Sequence, residues 1–165
     1  MQITFACHDV SLRNRAAAVM LLSLVGGCSS SSSSSDAGDL ITCQDDSRVA
    51  VYRPNIPASS TTGMLSYTLT QANPAPPAVG INTWTLRVAN SSGQPVPNLP
   101  LSVLPFMPDH GHGTSVQAQV NANPDSSYTV TPLYFFMPGV WRITFSTTPD
   151  AGLNSSGVFF FCVPG

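Results

Sequence analysis

Two histidines, a thioether and a carboxylate fall within eight residues of Phe106-Met107-Pro108-Asp109-His110-Gly111-His112-Gly113. Some thirty residues later, Phe136-Met137-Pro138-Gly139-Val140-Trp141 repeats the Phe-Met-Pro triplet. Thioether sulfur is soft and imidazole is borderline, so Met107, His110, His112 and Met137 together suit copper, Cu(I) above all, better than Mg²⁺ or Ca²⁺. His-x-His on an extended backbone carries both rings on one side, and the flanking glycines let the chain bend until both reach one ion. Asp109 is placed to accept a ring N–H, the support that ligating histidines usually have. Zinc is less favoured, since Asp109 is the only carboxylate near two strong ligands. The alternative is structural: both methionines plug the core beneath a loop, and His-Gly-His is a surface turn.

These residues need elements that bring them together. Proline cannot donate to a strand ladder, so each Phe-Met-Pro triplet marks the end of a strand. Segments rich in Val, Ile, Thr, Tyr, Phe and Trp recur between clusters of Pro, Gly, Asn and Ser, which predicts strands at 48–52, 64–71, 81–89, 99–106, 114–120, 127–136, 140–147 and 157–163. Trp84-Thr85-Leu86-Arg87-Val88 and Trp141-Arg142-Ile143-Thr144-Phe145 alternate cleanly, as strands with one face to water do. After residue 36 no stretch has helical periodicity with good helix formers. The pattern predicts an all-β fold, an immunoglobulin-like β-sandwich of about seven to eight strands. If 99–106 runs up, 114–120 runs down and 127–136 runs up, then Met107, His110, His112 and Met137 meet at one end. Val158-Phe159-Phe160-Phe161 reads as a last strand buried on both faces; the alternative is an edge strand with one face exposed for a partner.

Composition narrows the function classes. The 165 residues include six Arg and eight Asp but no Lys or Glu, and only 8% are charged, against about 25% in an average soluble protein. Such a chain has no basic nucleic-acid footprint and cannot build long helices laced by Glu/Lys pairs. Acid–base catalysis would have few players beyond His110 and His112, and Gly111-His112-Gly113-Thr114-Ser115 is not a nucleophile elbow, so an enzyme is not expected.

The N-terminal segment predicts an address. Arg13 and Arg15 precede the apolar run Ala16 to Val25, which is too short to span a bilayer, and small residues follow as in a secretory signal. Leu24-Val25-Gly26-Gly27-Cys28 resembles a bacterial lipobox, which predicts a signal peptide over 1–27 and lipidation of Cys28. Ser29 to Ser35 and the rest of 28–42 make a flexible polar tether, ahead of a domain over 43–165. Ser29, where inner-membrane retention signals carry Asp, leans toward the outer membrane. The expected product is a membrane-anchored lipoprotein facing the periplasm, with room for a periplasmic protein partner. In that compartment Cys43 and Cys162, near the two ends of the domain, are expected to form a disulfide; the alternative is two buried thiols.

Residues from about 80 to 148 resemble the YtkA-like domain, which is related to the FixH-like proteins and is found in bacterial membrane-associated and exported proteins. The resemblance lies in the early Trp84 strand, Gly93-Gln94-Pro95-Val96, Met107 to Gly113, Tyr128, and Phe136 to Trp141. It implies an immunoglobulin-like fold and a role around copper or cytochrome oxidase biogenesis, without an established reaction. The cysteine pair and the serine tether are not carried over from that family. The expected function is therefore an exported, lipid-anchored domain that binds or handles copper through a Met/His loop-end site. A structural or protein-interaction sandwich without metal is the other expectation.

Overall fold

Residues that alternate between apolar and polar must set one face inward, and the chain satisfies this with strands. The computed structural model describes residues 43–60, 64–147 and 154–165; the expected leader, Cys28 and the tether lie outside the described residues. A short turn of 3-10 helix, Cys43–Asp45, precedes β1 (Ile56–Pro57), β2 (Ser59–Ser60), β3 (Leu65–Asn73), β4 (Gly80–Asn90) and β5 (Leu101–Met107). There follow β6 (His112–Gly113), β7 (Gln119–Ala122), β8 (Ser127–Phe135), β9 (Gly139–Thr147) and β10 (Ser156–Val163). One sheet has the order β1-β3-β4-β8-β7 and the other β2-β10-β9-β5-β6. The fold is an all-β sandwich of the immunoglobulin-like class, with seven strands of four or more residues and three two-residue pieces.

Trp84 is the hub between the sheets. Its ring meets Phe135 at 6.1 Å from its own sheet, and Phe145, Phe159 and Phe161 at 6.5, 6.1 and 5.5 Å from the other. Offset and edge-on aromatic contacts of this kind add to the burial of the rings. The inward positions of β9 (Trp141, Ile143, Phe145) and of β10 (Phe159, Phe161, Val163) are all buried.

Three expected strands differ. Residues 48–52 form no strand: Asp46 folds the segment into a turn, accepting the Val49 N–H at 3.0 Å on its carbonyl and the Arg48 N–H at 2.8 Å on its side chain. One backbone bond, Ala50 N–H to the Phe160 carbonyl at 2.9 Å, lays the segment along β10. The strand expected at 114–120 is shifted to Gln119–Ala122. Thr114 Oγ1 accepts the Val116 N–H at 3.2 Å, and such a side-chain turn competes with the ladder. β10 is buried on one face rather than both: Phe159 and Phe161 point inward, while Val158 and Phe160 stay half-buried.

Candidate metal site

The Met-Pro-Asp-His-Gly-His-Gly run is a hairpin. β5 ends at Met107, the chain turns through Pro108 to Gly111, and β6 pairs back with Met107 opposite His112 and Phe106 opposite Gly113. The Met107 carbonyl accepts from the N–H groups of His110 and Gly111 at 3.3 and 2.9 Å. Gly111 sits at φ +70°, a conformation that costs a side-chain-bearing residue and not glycine. Opposite residues of an antiparallel pair share a face, so His112 points the same way as the fully buried Met107.

The His112 ring lies between two others. Its centroid is 5.5 Å from that of His110 and 5.3 Å from that of Phe136, whose ring is tilted 30° to it. Its Nδ1 is buried without a hydrogen-bond partner. Native proteins rarely leave a buried ring nitrogen so, and each case needs an explanation. The two histidine rings come together through a turn, not along the extended backbone that His-x-His suggested.

Opposite them is the β8–β9 turn, Phe136 to Pro138. β5 and β9 are antiparallel neighbours, so the end of β5 and the start of β9 lie at the same end of the sandwich, and Met107 and Met137 share it with both histidines. The terminal methyl of Met107 lies against Gly139: a Cβ built there would fall 2.6 Å from it. The turn is braced by Trp141, whose Nε1–H donates to the Met137 carbonyl at 3.0 Å. Met137 itself is half-buried and packs against the core.

Asp109 has a different partner from the imidazole N–H expected of it. Its two oxygens accept from Arg48 Nη1 and Nη2 at 2.8 and 2.7 Å, while the same guanidinium is held by Asp46 through Nε at 2.9 Å and Nη2 at 2.6 Å. Hydrogen bonds from Arg48 hold the Asp46 carboxyl down to about 2 and the Asp109 carboxyl below its ordinary range, and raise Arg48 in return. All three side chains are partly open to solvent.

The sequence model of the YtkA-like family matches residues 63–146, from the approach to β3 into the end of β9. The chain belongs to the YtkA-like family. The match starts before the stretch from about residue 80 to 148 that carries the resemblance. Among curated proteins none matches the chain. Of solved structures, a copper-bound variant of FetP from uropathogenic Escherichia coli strain F11 is similar over 69% of this chain and 91% of that one, at 14% identity and a TM-score of 0.41. A likeness this slight does not bear on the ligands of this chain.

The residues of this YtkA-like domain can be tested against a copper ion directly. Among the described residues no three His, Cys, Asp or Glu side chains gather as a metal site, which leaves zinc-type ligation without a donor set. The side chains at this end that could donate are two imidazoles and two thioethers, a soft to borderline set of the kind copper accepts. The partnerless Nδ1 of His112 fits the same ion. Two contributors were not foreseen from the sequence. Phe136, adjacent to Met137, flanks His112 while 41% exposed. Arg48 reaches Asp109 across 61 residues of chain, a pairing for which the sequence carries no signal.

Proposed function

We propose that this YtkA-like domain binds Cu(I) at the hairpin end of the sandwich, with His112 and His110 as imidazole ligands and Met107 and Met137 as thioether ligands. The observation that carries the reading is the buried, unpartnered Nδ1 of His112 on a residue directly opposite Met107. Bound there, the copper would be held or passed on, with both imidazoles engaged as its ligands. The protein doing this is exported, anchored through a lipid on Cys28, and faces the periplasm.

Competition against a Cu(I) chelator tests this on the full chain. About one Cu(I) is expected per protein, with affinity falling on acidification because a protonated imidazole cannot ligate. His110→Ala and His112→Ala are expected to weaken binding without unfolding the domain. Met137→Leu roughly conserves volume and should cost less than about 1.5 kcal/mol of stability, yet it removes a ligand. Unchanged affinity in both histidine variants would dispose of the site.

A second reading has its own observation. An apolar cleft of about 300 Å³ beside Cys162, lined by Val49, Val51, Tyr52, Pro76, Pro77 and Phe161, suits a protein-interaction module that needs no metal. A domain that takes up no copper, with folding intact, would favour it.

A further inference from the structure

We propose that Arg48 is a positioning residue for the Met/His site, a proposal that rests on the copper reading: it clamps Asp109, and through Asp109 the turn that carries His110, to the segment entering the domain. That segment is fixed independently of Arg48. Cys43 is bonded to Cys162, the Ala50 N–H is bonded to the Phe160 carbonyl, and the Tyr52 hydroxyl accepts the Ala72 N–H at 2.9 Å. A guanidinium rooted in so fixed a segment can fix something else.

The geometry is of the kind that makes an exposed ion pair matter. Isolated surface pairs contribute little, but bidentate contacts and networks of several charges are the exception. Here Nη1 and Nη2 each take one oxygen of Asp109, while Nε and Nη2 bind Asp46. Only a planar fork can serve two carboxylates in this way. In a chain with just six basic residues, this one stands beside the turn bearing His110. The ion pair holds Asp109, one residue from His110 and two from Met107, so its loss leaves the turn between the two hairpin strands to its own backbone bonds.

The clamp can be separated from a mere charge effect. If Arg48 and Asp109 acted on the copper ion through space, removing the cation would strengthen binding and removing the anion would weaken it. A clamp requires that Arg48→Ala and Asp109→Ala both weaken binding, and that the double variant be no worse than either alone.

The experiment titrates the full chain, extracted in detergent, with Cu(I) against a chelator at low and high ionic strength. Amide exchange at Gly111 is followed in the metal-free protein. Expected are a loss of about two- to fivefold in affinity for each single variant, partial recovery in Arg48→Lys, and faster exchange at Gly111. The parent's affinity should also fall with salt, since exposed charges are screened, and Arg48→Ala should lose that dependence. Opposite signs for the two alanine variants, or an unchanged affinity in Arg48→Ala, would overturn the clamp while leaving the copper site standing. A parent that takes up no Cu(I) would overturn both.

Discussion

At the scale of single residues, the position of Met107 depends on what is missing from Gly139. A Cβ at residue 139 would meet the Met107 terminal methyl at 2.6 Å, and the backbone there has φ +134°. Gly139→Ala therefore has to displace a buried side chain and strain the backbone together. A loss of about 1–3 kcal/mol is expected, measured by urea denaturation; a stability equal to the parent's would show that Met107 shifts aside freely. If Met107 ligates copper, the same variant should also bind Cu(I) more weakly. The histidine and methionine motifs were legible in the sequence because each is contiguous, and strand parity was enough to bring them to one end. Phe136 was in view but read only as part of a triplet. Arg48 was not legible, because an ion pair across 61 residues depends on how an irregular segment lies over the fold, and neither periodicity nor spacing encodes that.

At the scale of elements, strands with clean alternation were read to within a residue or two, as in β4, β8, β9 and β10. The segments that failed, 48–52 and 114–118, are those where Asp46 and Thr114 hydrogen-bond the local backbone and bend the chain out of a ladder. Local side-chain bonds of this type compete with sheet pairing and leave composition unchanged. One such turn has a pH signature. The Asp46 carboxyl lies at about 2 rather than its ordinary 3.8, chiefly through its hydrogen bonds to Arg48. A lowered folded value means that its contribution is complete above the ordinary carboxyl range and is lost as pH falls toward 2. The Arg48 amide resonance should follow that titration with a midpoint near 2, and in Arg48→Ala the Asp46 midpoint should return toward its ordinary value. Tyr128 does comparable work ahead of β5: its hydroxyl donates to the Val96 carbonyl and accepts the Leu99 N–H at 2.9 Å. Tyr128→Phe removes both partners' bonds, with an expected cost of about 1–2 kcal/mol in denaturant unfolding.

On the scale of the whole molecule, the two ends of the domain are joined by a disulfide between Cys43 and Cys162, whose Cα atoms are 5.2 Å apart across 119 residues of sequence. In the chain-entropy treatment a loop of that length contributes about 4–5 kcal/mol. Alkylation without reductant should therefore label neither cysteine in the native or the denatured protein, and stoichiometric labelling of both after denaturation would contradict the bond. The disulfide also bears on the site, because it anchors the segment from which Arg48 reaches Asp109. If that segment is the frame for the clamp, the disulfide and the ion pair are not independent: a guanidinium on a loosened segment has little to hold the turn against. The Cys43→Ala/Cys162→Ala variant should weaken Cu(I) binding in the same direction as Arg48→Ala. Adding Arg48→Ala to it should then cost less than it does in the parent, since groups that act through one element couple rather than add. Full additivity of the two effects would mean that Ala50 and Tyr52 hold the segment well enough alone, and that the disulfide serves stability without serving the site.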